Sequence, residues 1–126
     1  MTFEDIPDAV RRFVLMAIPS VPFLEALLLM QDLPQAGWDA HALARRLYMS
    51  ERGSAAILRE LQEAGFIAED QPGVFHYSPG SAELRELVIA VKDAYARNLV
   101  GMTNLIHAKT NRKALQFADA FKLRKD

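Results

Sequence analysis

The chain has 126 residues, 51% of them apolar, with 15 Lys and Arg against 16 Asp and Glu and no cysteine. That composition supports one domain with a core of its own, and it excludes a disulfide framework, cysteine-ligated zinc or iron–sulfur centres, and a thiol nucleophile. Charge is uneven: residues 1–100 carry 9 basic and 14 acidic side chains, a net of −5, whereas residues 101–126 carry 6 and 2, a net of +4.

The first predicted helix covers Asp8 to Ala17, where Val10, Phe13, Val14 and Ala17 recur at helical spacing. Ahead of it, Glu4 and Asp5 are the opposite of the basic flank of a secretory leader, so a cytoplasmic setting is expected. After the break Ile18-Pro19-Ser20, Ser20 caps a second helix to about Gln31. Phe23, Leu24, Leu27, Leu28 and Met30 make it apolar on most sides, which marks the core element. The apolar run Ala17 to Met30 is 14 residues long and contains Ser20, Glu25 and two prolines. That falls short of the roughly 20 residues a bilayer crossing takes, and no membrane association is expected.

Asp39 caps a third helix to about Tyr48, with Trp38 placed to pack on Leu43 as a hydrophobic staple. Ser50 caps a fourth, which ends at Gly65. Phe66–Glu69 and Val74–Tyr77 are short β-prone runs around Asp70-Gln71-Pro72-Gly73, a predicted hairpin with a four-residue turn. From Ser81 a long helix runs to about Lys109, on the order of 40 Å at ~1.5 Å per residue.

That helix carries a sevenfold recurrence, Leu84, Val91, Asn98 and Leu105, with Leu87, Ala94, Gly101 and Ala108 in the companion seam. Together with Tyr95 and Met102 these positions predict a homodimer seam, in which Asn98 pairs with its symmetry mate and Gly101 lets two backbones approach. Asn111 caps a short amphipathic helix whose Phe117 and Phe121 are expected to dock on the partner subunit, at roughly 1.5–3 kcal/mol each when covered. The same stripe is also compatible with covering the chain's own first helices. Residues 1–80 and 81–126 are expected to form two units, the second serving dimerisation.

The order of elements carries a more specific signal in Leu43-Ala44-Arg45-Arg46-Leu47-Tyr48-Met49-Ser50 followed by Ala56-Ile57-Leu58-Arg59-Glu60-Leu61-Gln62-Glu63-Ala64-Gly65-Phe66-Ile67. The first part resembles the first helix and turn of the winged helix-turn-helix family, L-A-x-x-L-x-apolar-S. The second resembles its recognition helix running into the wing, L-x-x-L-x-x-x-G-apolar-apolar. The resemblance runs from Leu43 to Ile67, and the hairpin follows where a wing belongs. It implies a mostly α fold with a small β-hairpin. With the long helix added, the chain looks like bacterial transcriptional regulators of the MarR and PadR type, which bind double-stranded DNA as homodimers.

Under that resemblance Ser50 begins the recognition helix, and Glu51, Arg52, Ser54, Ala55 and Arg59 face the major groove, with Ala56 where a larger polar residue is common. Arg45 and Arg46 lie on the helix that crosses the backbone and reach phosphates. No cofactor and no metal are implied. The chain departs from the pattern in charge: residues 50–80 hold Arg52 and Arg59 against Glu51, Glu60, Glu63, Glu69 and Asp70, a net of −3. Phosphate affinity comes from Lys and Arg displacing counterions. A second reading therefore stands beside the first, a winged-helix protein-interaction module for a basic partner. A third is a ligand sensor with a pocket between Phe23, Leu27 and the long helix. Tyr48 replaces a small turn residue and is expected to make an aromatic packing contact.

His41, His76 and His107 sit on separate elements without a carboxylate at metal-motif spacing, and there is neither a phosphate-cradling glycine loop nor a nucleophile elbow. Catalysis is not expected. Met16, Met30, Met49 and Met102 are expected to fill gaps in the core.

Overall fold

The computed structural model describes residues 6–109. In chain order these form α1 (Asp8–Ala17), α2 (Val21–Asp32), α3 (Ala40–Leu47), α4 (Glu51–Glu63), β1 (Ile67–Gln71), β2 (Val74–Tyr77), α5 (Ala82–Arg97) and α6 (99–109). Four helices start where a short polar side chain satisfies an otherwise orphaned N–H. The Ser20 hydroxyl accepts from the Phe23 N–H at 3.3 Å, the Asp39 carboxylate from Ala42 at 2.8 Å, and the hydroxyls of Ser50 and Ser81 from Gly53 and Leu84 at 3.0 Å each.

α2 is the element the others surround. Phe23, Leu24, Ala26, Leu27, Leu28 and Met30 are all buried, and α2 packs against α3, α4 and β2 while α1 packs against α5. Val88 and Val91 of α5 and Met102, Leu105 and Ile106 of α6 belong to the same core as Val10, Val14, Leu43, Leu58 and Leu61. One continuous apolar interior thus joins residues on both sides of position 80. Phe66, at the exit from α4, touches Phe13 and Phe23 edge-on, both at ring-centroid separations of 6.0 Å. Met16 does not fill a gap: it projects from α1 and is 85% exposed.

β1 and β2 pair antiparallel, with Ile67 opposite Tyr77, Ala68 opposite His76, Glu69 opposite Phe75 and Gln71 opposite Val74, so Asp70 is bulged out. The turn is tighter than expected because β1 continues to Gln71. Pro72 followed by Gly73 at φ +80° has the order of a type II turn, and the Glu69 carboxylate accepts the Gly73 N–H at 2.7 Å. Trp38 adds a one-residue third strand: its N–H donates to the Phe75 carbonyl at 2.7 Å, and the Phe75 N–H donates back at 2.8 Å.

The helix expected from Ser81 to Lys109 is interrupted. Asn98 leaves helical geometry at φ −144°, ψ 66°, ending α5 and starting α6. Its side-chain oxygen accepts the Gly101 N–H at 2.9 Å, an N-cap contact. Gly101 therefore makes room for a cap within its own chain, because an added Cβ would lie 2.4 Å from the Asn98 amide nitrogen. Among the described residues no single helix is long and apolar enough to cross a membrane.

Candidate nucleic-acid interface

α3 and α4 are joined by three residues, and the joint is held from both sides. Tyr48 adopts the left-handed conformation at φ 55°, ψ 50°, and its N–H and that of Met49 both reach the Ala44 carbonyl. The Ser54 hydroxyl donates to the Ala40 carbonyl at 2.8 Å, and His41 Nδ1 meets Glu51 Oε1 at 2.5 Å. These contacts fix the start of α4 against the start of α3.

α4 then splits cleanly into two faces. Ser54, Ile57, Leu58 and Leu61 point into the core, whereas Glu51, Arg52, Ala55, Ala56, Arg59, Glu60, Gln62 and Glu63 are exposed. Of the residues expected to face a partner, Ser50, Arg52, Ala55 and Arg59 lie on the open side, and Arg45 is exposed in the last turn of α3. Arg46 is also exposed, with its guanidinium 5.6 Å from the centre of the Trp38 ring. That cation–π contact holds it toward the indole.

Ser54 corrects the expectation. It is wholly buried, its hydroxyl is spent on the Ala40 carbonyl, and it shares the apolar face with Ile57, Leu58 and Leu61, so it presents nothing to a groove. Its role is to hold two helices together. Ser54→Ala removes this inter-helix hydrogen bond, while the Ala40 carbonyl keeps its helical partner, and is expected to lower stability by about 1 kcal/mol. Urea titration reads this as an earlier midpoint at unchanged slope, and an unmoved midpoint would contradict it.

Between α4 and the hairpin lies a groove of about 460 Å³, with Ala55, Leu58 and Phe75 on its floor and Arg59, Glu63 and Glu69 among its polar lining. The charge along this surface is graded. Near the turn stand Arg45 and Arg52, with Glu51 engaged by His41; toward the far end stand Glu60 and Glu63, followed by Glu69 and Asp70 of β1. His76 Nδ1 approaches Asp70 Oδ2 at 2.7 Å, so one of these carboxylates is engaged across the hairpin.

The expected dimer seam is largely turned inward. Val91, Asn98, Met102 and Leu105 are buried in their own chain, and Leu84, Leu87 and Tyr95 are half-buried. The physical reason is the break at Asn98, which folds α6 back onto the core that α1, α2 and α5 share. Burial pushes the Tyr95 phenol above its ordinary value, the Glu25 carboxylate pushes the same way, and a hydrogen bond with Thr103 opposes them. Lys92 of α5 meets Asp32 at the end of α2. Phe117 and Phe121 lie outside the described residues.

What the heptad pattern hid is a different apolar set: Ile89, Leu99 and Val100 are exposed, the last two at 56% and 58%. Leu99-Val100 directly after Asn98 was the available signal, since a kink at the cap rotates the residues that follow it. Tyr48 was missed in the opposite sense. Expected to pack, it is 96% exposed.

Comparison of the chain with protein-family models, with curated proteins and with solved structures found no match.

Proposed function

We propose that the chain is a winged helix-turn-helix regulator of transcription that binds double-stranded DNA as a homodimer, with α4 as the reading helix and the β1–β2 hairpin as the wing. The observation that carries this reading is the open face of α4, where Arg52, Ala55 and Arg59 stand clear of the core with Arg45 beside them. A helix propped outward by a partner helix and followed by a two-stranded ribbon has the dimensions to enter a major groove. In this reading the copies meet on the side where Ile89, Leu99 and Val100 are exposed.

Arg45, Arg52 and Arg59 give three phosphate contacts per subunit, which corresponds to a slope of about −3 in log affinity against log salt for each subunit bound. Fluorescence anisotropy with a labelled duplex at about 50 and about 200 mM salt measures it. Replacing Arg52 and Arg59 by Gln is expected to weaken binding about tenfold and to flatten the slope by about 2 per subunit. A wild-type chain that binds no duplex at either salt concentration overturns the reading.

One observation favours a second reading. Glu60, Glu63, Glu69 and Asp70 are exposed around the far end of α4 and the hairpin, with Arg59 as the nearby cation of α4. That surface suits a basic protein segment, and in this reading the same helix and hairpin form a protein-interaction module. Retention of a Lys- and Arg-rich peptide but no duplex separates the two.

A further inference from the structure

We infer that Tyr48 is a phosphate-contacting residue of the α3–α4 surface, its phenol hydroxyl donating to a backbone phosphate oxygen of duplex DNA between the positions reached by Arg45 and Arg52. This rests on the DNA-binding reading above and adds to it a residue that the family resemblance did not supply.

Two independent observations meet at this residue. The first is its backbone, at φ 55°, ψ 50°, in a region where a Cβ crowds the following carbonyl oxygen. Among the described residues it is the one position other than glycine with positive φ. Glycine or asparagine ordinarily closes a helix in this way, because neither carries a bulky side chain into the left-handed region. The second is its side chain, which at 96% exposure buries nothing. The turn needs only the Tyr48 N–H, donated to the Ala44 carbonyl, and any residue except proline supplies that. Folding therefore bears the strain of a large aromatic side chain and draws no contact from it. Strain of this kind, kept by rigid surroundings, points to a role outside the folding of the chain.

The surroundings define the chemistry of the partner. Tyr48 lies three residues after Arg45 and four before Arg52, both exposed, and next to the start of α4, where the helix dipole favours an anion. A tyrosine hydroxyl is a neutral donor of the kind that fixes register on a phosphate backbone. Held on a short turn between two helices, its backbone is pre-positioned, and only the two side-chain torsions of the tyrosine are left to order on contact. The acidic end of α4, with Glu60 and Glu63, lies more than two turns further along the helix. At the turn itself Arg45 and Arg52 outnumber Glu51, whose carboxylate is engaged by His41, so the approach of a phosphate strand is favoured there.

Duplex binding and thermal unfolding of the full chain, measured for wild type, Tyr48→Gly and Tyr48→Phe, test this. Tyr48→Gly is expected to raise the melting temperature by about 3–6 °C, since glycine relieves the backbone, and to weaken duplex binding about tenfold. The salt slope is expected to stay at the wild-type value, because no charge has been removed. Tyr48→Phe, which keeps ring and backbone, is expected to leave the melting temperature near wild type and to weaken binding about fivefold through the lost hydroxyl. If either variant binds duplex as tightly as wild type, the phosphate contact is overturned while the DNA-binding reading stands. If wild type itself binds no duplex, that reading fails and Tyr48 has no phosphate to meet. Recovery of full affinity for a basic peptide by Tyr48→Gly, with duplex binding absent throughout, overturns both in favour of the protein-interaction module.

Discussion

Phe66→Ala is expected to cost about 3–5 kcal/mol of unfolding free energy, the range for truncating a buried aromatic side chain. Phe66 is almost completely buried, and it sits where three elements meet rather than inside one. Its ring lies edge-on to Phe13 of α1 at 80° and to Phe23 of α2 at 75°, both with centroids 6.0 Å apart, and such aromatic pairs add about 0.5–1.5 kcal/mol beyond area burial. Its backbone is equally engaged: the N–H donates to the Leu61 carbonyl at 3.0 Å, and its own carbonyl accepts the Ser78 N–H at 2.9 Å. The cavity left by alanine therefore opens at the point that sets how the hairpin leaves α4. Since a domain of this kind is stable by about 5–15 kcal/mol, the variant is expected to be partly unfolded near 37 °C. Guanidinium titration followed by circular dichroism measures the loss, and a change below about 1 kcal/mol would mean that the three rings do not form one packed unit. The hairpin is also expected to lose its fixed angle to α4, so under the proposed DNA-binding function the folded fraction should bind duplex less tightly than wild type.

The parts of the fold that local chemistry decides were legible in the residues. Ser20, Asp39, Ser50 and Ser81 cap helices because a short side chain can reach an N–H three residues on wherever the chain sits. The open side of α4 followed from its 3.6-residue period. Ser54 followed from it too, since Ile57, Leu58 and Leu61 three, four and seven residues later place it on the buried face. A family-derived expectation had moved it outward against that period. Where the reading failed, the missing information was tertiary. An apolar stripe on α5 and beyond has the same spacing whether it covers another copy or its own α1 and α2, and Val91, Met102 and Leu105 went to their own core. Tyr48 was misplaced because a side chain in a turn is aimed by φ and ψ, and nothing in its identity announces the left-handed region. The charge grading along α4 was fully visible in the sequence. The partner it selects was not, because affinity belongs to a complex and an acidic hairpin is compatible with two kinds of ligand.

Gly101→Ala is expected to destabilise the chain by about 1–2 kcal/mol, although alanine is favoured over glycine in a helix by about 1 kcal/mol. The sign is set by Asn98. A Cβ at position 101 would stand 2.4 Å from its amide nitrogen, 2.6 Å from its side-chain oxygen and 2.7 Å from its Cγ. Asn98 is buried and its oxygen holds the Gly101 N–H, so the amide has to leave the cap to admit the methyl group. Losing the cap costs about 0.5–2 kcal/mol, and a displaced buried amide about 1–3 kcal/mol more, which outweighs the gain in helix propensity. Asn98→Ala alone is expected to cost about 1–2 kcal/mol by the same loss of the cap. In that background the space beside Gly101 is empty, and Gly101→Ala is expected to become stabilising by up to about 1 kcal/mol. The double-mutant cycle therefore predicts a coupling of about 1–3 kcal/mol with a reversal of sign. Additivity within about 0.5 kcal/mol would mean that residue 101 does not sense Asn98, as in a helix running unbroken through position 98. In that case Asn98 and Met102 would regain the continuous seam on which a second copy could lie. A measured reversal instead keeps those side chains inside their own subunit and leaves Leu99 and Val100, turned out by the kink, exposed where the proposed homodimer would meet.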